Sequence, residues 1–178
     1  MMAQMHGIAE DAGETRCTVL LVCTGNICRS AMAEVALRDE LTRRALADGR
    51  VLDDVVDVQS AGTSSWHAGE PMDPRARAAL DRAGLTGDGS DAAQVTRAQL
   101  QRAALVVALD HGHRAELRAL APDVEITLLR WWAEGDDLDV ADPYYADDEA
   151  FDACLARIVP GCRALADALA ARLGSAGS

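Results

Sequence analysis

At 178 residues, 49% of them hydrophobic and 26% charged, the chain has the composition of a soluble globular domain with enough apolar residues for one core. Its formal net charge of −12 opposes approach to nucleic acid or to an anionic membrane surface, so neither is an expected partner. All 17 basic residues are Arg, and without a lysine neither a Walker-type nucleotide loop nor Schiff-base chemistry is available.

Residues 1–16 are polar and acidic, without period, and read as a flexible extension that lacks the basic end and apolar stretch of a secretory signal. No apolar run approaches the roughly 20 residues that a membrane span needs, so no membrane insertion is expected. Five cysteines, an odd number, do not read as a disulfide framework; reduced thiols and a cytoplasmic location are the expectation.

Short aliphatic or β-branched runs then alternate with helical periodicity. Residues 18–23 read as a strand, 29–47 as a helix and 54–60 as a second strand. Asp73 suits an N-cap, Pro74 the first helical position and Gly84 a left-handed exit, which frames a helix over 74–83. A strand at 104–109, a helix at 113–120 and a strand at 124–129 follow. Over 149–173, Phe151, Leu155, Ile158, Cys162, Leu165, Leu169 and Leu173 recur at helical spacing as one core-facing stripe, with a kink expected at Pro160-Gly161. Residues 174–178 read as a flexible tail. Strands separated by helices imply an α/β domain over 17–173, with right-handed crossovers and a parallel sheet covered by helices on both faces.

In such a sheet, ligands bind beyond the carboxyl ends of the strands, where a strand passes to a helix N-terminus. The segment VLLVCTGNICRSAMAE is such a junction: a strand to Val22 or Cys23, a turn through Thr24, Gly25, Asn26, Ile27 and Cys28, and a helix from near Arg29. Gly25 and Asn26 tolerate the positive φ of an anion-binding nest, whose backbone N–H groups converge on one point. The helix dipole, Arg29 and the Ser30 hydroxyl stabilise a thiolate at Cys23. The same donors can hold phosphoryl oxygens, two of which Arg29 grips bidentately. A buried structural cysteine is the competing reading of Cys23. A zinc site at Cys23 and Cys28 needs further ligands, and His6, His67, His111 and His113 offer none at a plausible spacing.

V-C-T-G-N-I-C-R-S-A-M-A-E closely resembles the signature of the low-molecular-weight protein-tyrosine phosphatases. The resemblance continues through Ser60-Ala61-Gly62-Thr63, Trp66-His67, Ala108-Leu109-Asp110 and Asp142-Pro143-Tyr144-Tyr145, and is greatest to actinobacterial members. It implies a flavodoxin-like three-layer sandwich around a four-stranded parallel sheet, without metal or organic cofactor. It also implies hydrolysis of phosphotyrosine in a protein or peptide through a phosphocysteine at Cys23, with inorganic phosphate as product and inhibitor.

The leaving group needs a proton, and composition offers Glu134, Asp136, Asp137, Asp139, Asp142, Asp147, Asp148 and Glu149 without choosing among them. The DPYY match selects Asp142 as general acid and then base; the competing reading is a turn cap before Pro143. By resemblance, Trp66, His67, Tyr144 and Tyr145 line a deep cleft that takes a phenyl ring and leaves phosphoserine short of the nucleophile. Trp131 and Trp132 read as loop packing. The resemblance further implies that Ser30 and Ser60 orient Asn26 and that Cys28 forms a reversible disulfide with Cys23. Asp110 reads equally as a helix N-cap, Cys154 and Cys162 as core, and Cys17 as a bystander.

Three positions depart from the family pattern. Many relatives carry a His that supports Asn26, whereas Ser90-Asp91 stands in its place, so an altered support is expected. Ala146 replaces a frequent glycine and Ala31 a frequent proline. Arsenate reductase, on the same fold, needs a distal cysteine pair, and no Cys lies between Arg29 and Ala153. Protein-arginine phosphatases place Thr where this chain has Ile27 and lack paired tyrosines. An inactive phosphotyrosine-binding module is disfavoured by intact Cys23, Arg29 and Asp142.

Overall fold

A computed structural model describes residues 16–133 and 135–175. His6, Glu134, residues 176–178 and most of the expected extension lie outside the described residues. Arg16, at the end of that extension, donates to the Val56 carbonyl (2.7 Å).

Four strands, β1 (Cys17–Cys23), β2 (Val56–Gly62), β3 (Leu105–Ala108) and β4 (Ile126–Leu128), pair in parallel in the order β2-β1-β3-β4. This is the flavodoxin-like, doubly wound order, which reverses direction between β1 and β3. β1 is registered with β2 from Cys17–Val56 to Cys23–Gly62, and with β3 from Val19–Leu105 to Val22–Ala108.

The pleat sends alternate residues to opposite faces, and helices cover both. Val19, Leu21, Cys23, Val58 and Val107 enter one core with α1 (Arg29–Thr42), α3 (Pro74–Arg82) and α6 (Asp148–Ser175). Leu20, Val22, Ala61, Val106, Ala108 and Leu128 enter the other with Leu100 of α4 (Arg97–Arg102) and Leu117 of α5 (His111–Leu120). The result is a three-layer sandwich. On α6 the expected stripe is buried from Phe151 to Leu169, and each fully buried Leu, Ile or Phe contributes about 1.5–3 kcal/mol.

Several boundaries differ from the sequence reading. α1 stops at Thr42, before residue 47, because Arg44 folds back onto the Glu40 carbonyl and carboxylate (2.6 and 2.7 Å) and Gly49, at φ 88°, turns the chain. Residues 54–55, expected to open the second strand, close a short helix α2 (Leu52–Val55), in which Asp54 accepts from the Val51 N–H (3.1 Å). Nothing in the periodicity predicts α4, which a capping box starts: Thr96 Oγ1 accepts from Gln99 N, and Gln99 Oε1 from Thr96 N. α3 is framed as expected, with Asp73 accepting from Arg75 N (2.8 Å) and Gly84 at φ 73°.

α6 runs continuously through Pro160-Gly161 and on to Gly174 and Ser175, which the sequence reading assigns to the tail. Gly161 provides a close approach, since a Cβ there would lie 2.8 Å from Leu129 Cγ in the 3-10 turn Leu129–Trp132. Trp131 and Trp132 stand edge to face in that turn, and Trp132 packs on the core.

Candidate active site

Three loops meet where the strand order reverses: 24–28 after β1, Leu109-Asp110 after β3, and 140–145 ahead of α6. Backbone bonds join them, from Leu109 N to Val22 O (3.2 Å) and from Val140 N to Leu109 O (2.9 Å). The first and third loops help enclose a cavity of about 290 Å³ lined by Cys23, Thr24, Gly25, Ile27, Cys28, Arg29, Trp66, His67, Asp142, Tyr144 and Tyr145. The residues expected as nucleophile, clamp, acid and cleft wall are thus brought to one cavity. Asn26, Ser30 and Ser60 lie buried beneath it.

Cys23 ends β1 and is 2% exposed. Its Sγ receives the Asn26 N–H (3.3 Å) and lies 3.0 Å from Ser30 Oγ. Asn26 makes the turn at φ 59°, a left-handed conformation that Asn adopts more readily than bulkier residues. Its amide locks it there: Nδ2 donates to Ser30 Oγ (2.9 Å) and Ser60 Oγ (2.8 Å), and Oδ1 accepts from Ala93 N (3.0 Å). Gly25, expected to share the positive φ, does not have it. Its lack of a side chain makes room instead, because a Cβ would lie 2.9 Å from His67 Cδ2.

Sequence reasoning misses where this brace ends. Glu34 on α1 is fully buried, accepts from Ser60 Oγ (2.5 Å) and Ser90 Oγ (2.8 Å), and pairs with Arg38 (2.7 Å). Ser90 therefore joins the network at two removes from Asn26, through Glu34 and Ser60, where the resemblance leads one to expect a histidine. The available signal is the Glu34–Arg38 spacing of four, which puts both on one helix face without saying what that face meets.

Arg29 is buried; its Nη1 donates to Asp110 Oδ2 (2.8 Å) and the Val140 carbonyl (3.2 Å), and its Nη2 to Asp142 Oδ2 (2.9 Å). Asp110 is also the N-cap of α5, accepting from His113 N (2.7 Å), so one carboxylate does both jobs. Burial alone would raise its pKa, but hydrogen bonds from His113 and the charge of Arg29 outweigh it and hold the carboxyl well below the usual range. Buried His113 places Nε2 2.8 Å from Thr24 Oγ1 and 3.4 Å from Arg29 Nη2, a position nothing in the sequence signals.

The Tyr144 ring tilts against His67 at 5.7 Å and meets Tyr145 edge-on at 4.9 Å. Trp66 and Tyr145, 79% and 95% exposed, form the rim. Asp142 Oδ1 accepts from Tyr144 N (3.2 Å), so its turn-capping role coexists with its place in the cavity. Of the other acids, Asp137 pairs with Arg157 and Asp139 with His111, away from the cavity lining.

Burial, then the charges of Asp73, Cys23 and Asp142, push the Cys28 thiol well up. Burial does the same to Cys154, to about 12, and to Cys162, both of them in the core. Among the described residues, no group of three or more His, Cys, Asp or Glu could hold a metal ion, and no helix is long and apolar enough to cross a membrane.

Fold and cavity together define a small α/β protein with a cysteine-bearing cavity at the end of its first strand. A family model described as low molecular weight phosphotyrosine protein phosphatase matches residues 18–174. Over 144 residues the chain is 44% identical to a low molecular weight protein-tyrosine-phosphatase from Streptomyces coelicolor, covering 77% of this chain and 84% of that one. Over 165 residues it is 41% identical to low molecular weight protein-tyrosine phosphatase A from Mycobacterium tuberculosis, covering 88% and 95%. The crystal structure of YfkJ from Bacillus subtilis is similar at a TM-score of 0.77 and 32% identity, over 91% of this chain and 99% of that one. The chain belongs to the low molecular weight protein-tyrosine phosphatase family of hydrolases.

Proposed function

We propose that the protein hydrolyses phosphotyrosine in proteins or peptides through a phosphocysteine on Cys23. The observation that carries this reading is the Cys23 sulfur in an aromatic-walled cavity that Arg29 and Asp142 also line. A phosphoryl group in the cradle meets the backbone N–H groups from Thr24 to Ser30, and Arg29 Nη2 turns from Asp142 to a phosphoryl oxygen.

The Cys23 thiolate attacks phosphorus, the bond to the phenolic oxygen breaks, and protonated Asp142 gives its proton to the leaving phenolate. Ser30 Oγ, already accepting from Asn26, has one proton to offer the thiolate whenever the sulfur is not bonded to phosphorus. Asp142 then takes a proton from water, the water oxygen attacks phosphorus, and the S–P bond breaks. Inorganic phosphate leaves and remains a competitive inhibitor, because the same donors hold it. Tyr144 and His67 flank the phenyl ring while Trp66 and Tyr145 meet the rest of the substrate; a phosphoserine is too short to reach Cys23.

Residues 17–173, with α6 carried on to Ser175, act as one phosphatase unit, needing neither metal nor organic cofactor. The cytoplasm, where thiols stay reduced, suits the chemistry. Cys28 is the proposed protector. Peroxide converts the Cys23 thiolate to a sulfenic acid with loss of hydroxide, and the Cys28 thiol condenses with it to a disulfide and water. Oxidation of Cys23 also removes one of the charges that push the Cys28 thiol up.

The test compares phosphotyrosine, phosphoserine and phosphoarginine peptides in the presence of a chelator, with arsenate reduction as a redox control. Phosphotyrosine is expected to turn over, to be blocked by vanadate, and to be inert with Cys23→Ser. Turnover by Cys23→Ser, or a preference for phosphoarginine, overturns the reading.

A further inference from the structure

We propose that Arg75 is a positioning residue that ties the phosphate cradle to the segment carrying Asp142 and Tyr144, a role that rests on Asp142 being the acid. Arg75 is the second residue of α3, lies outside the cavity lining and touches no reacting atom.

Its anchor is Asp73. The buried Asp73 carboxylate accepts from Arg75 Nε (3.1 Å) and Nη2 (2.9 Å), and the Asp73 N–H donates to the Ile27 carbonyl of the cradle (2.9 Å). The remaining donors cross to the acid segment: Nη1 to the Ala146 carbonyl and Nη2 to the Tyr144 carbonyl, each at 3.1 Å. The guanidinium also lies 4.5 Å from the Phe151 ring centroid and 5.8 Å from that of Tyr144.

Tyr144 is therefore held at both ends of its backbone. Arg75 holds the carbonyl, and the N–H of the same residue donates to Asp142 Oδ1 (3.2 Å). Residues 140–152 contain no Arg or Lys, so the segment has no cation of its own to hold it against α3. A planar fork with five donors can bond a carboxylate and two carbonyls while stacking on a ring, and a lysine ammonium cannot. The same contacts orient the Tyr144 ring, which joins proton donor and cleft wall in one element.

The test measures kcat and KM with phenyl phosphate, a poor leaving group, and with dinitrophenyl phosphate, whose phenolate leaves without a proton. Arg75→Met is expected to lower kcat/KM, which reports only the steps up to loss of the phenol and so leaves out the later proton transfer from water, on the order of tenfold on phenyl phosphate, as misplacement of a reacting group does. On dinitrophenyl phosphate the loss stays below about twofold, and in an Asp142→Ala background Arg75→Met adds no more than about twofold on either substrate, because the two residues act as a unit. Arg75→Lys falls between parent and Arg75→Met. Asp73→Asn keeps the acceptor for Arg75 N but loosens the guanidinium; it reproduces the signature and carries the test should thermal melting show that Arg75→Met does not fold.

Equal losses on the two substrates for the Arg75 and Asp73 variants, or additivity with Asp142→Ala, overturn the role of Arg75 provided that Asp142→Ala itself discriminates between them. If Asp142→Ala lowers both substrates equally, it is Asp142 as the acid that falls.

Discussion

Asp142 Oδ2 lies 2.9 Å from Arg29 Nη2, so in the proposed mechanism an incoming phosphoryl oxygen competes with this carboxylate for one donor. Removing the carboxylate therefore has opposite effects on turnover and on anion binding. Asp142→Ala is expected to lower kcat while tightening inorganic phosphate or vanadate. The gain in affinity should not exceed roughly fivefold, because an exposed pair is worth about 1 kcal/mol or less and the Asp142 side chain is 47% exposed. Titration calorimetry with phosphate checks this, and weaker binding to the variant would refute the competition.

Ser60 and Ser90 both touch Glu34, but only Ser60 also accepts from Asn26. Ser60→Ala should cost about 1–3 kcal/mol of stability and lower kcat several-fold, because it leaves the Asn26 amide and the Glu34 carboxylate each short of a buried partner. Ser90→Ala should cost about 1 kcal/mol and leave kcat nearly unchanged. Urea denaturation with parallel kinetics separates the two, and equal kinetic losses would place Ser90 closer to the chemistry than its contacts do.

Two glycines at the cradle are intolerant of a side chain to different degrees. A Cβ at Gly62 would stand 2.5 Å from the Thr24 carbonyl oxygen, and main chain cannot yield there without moving the loop. Gly62→Ala should destabilise by about 1–3 kcal/mol or more and abolish activity. At Gly25 the obstacle is the edge of the His67 ring, so Gly25→Ala should fold with nearly parental stability and raise KM for aryl phosphates. Thermal melts and KM values decide; a silent Gly62→Ala would contradict the close approach of β2 to the loop.

Asp110 gives a pH dependence with a defined sign. Burial works against its charge, but bonds from His113 and the charge of Arg29 hold its pKa below the unfolded value of about 3.9. Its stabilisation is then fully present at neutral pH and is lost as pH falls from about 4 through the folded-state value. Asp110→Asn, which keeps an N-cap acceptor, should melt below the parent at neutral pH by about 2–4 °C for each kcal/mol lost. The gap should close in acid; a gap constant with pH would assign the effect to packing.

What could be read from the sequence follows contact range. The cradle from Cys23 to Ser30 is a local strand–turn–helix signal, and the four strands and the stripe on α6 are periodic signals, so both were legible. Glu34, Asp110, His113 and Arg75 act through partners far away in sequence, which a linear pattern does not reveal. Asp110 shows the limit well: its N-cap role is a local pattern, whereas its bond to Arg29 exists only once β3 lies beside β1. The helices α2 and α4 are too short to express a period. A glycine at position 25 permits a left-handed turn, but only the folded chain reveals that the requirement is space beside His67.

Cys23 is the last rung of β1, one of the sheet's two inner strands, paired with Gly62 and one residue beyond the rung shared by Val22 and Ala108. The sulfur is thus fixed to a buried strand that is hydrogen-bonded along both edges, and the floor of the site should exchange its amide hydrogens as slowly as the core does. Inactivation in urea should coincide with global unfolding, without an earlier phase in which the cradle melts alone.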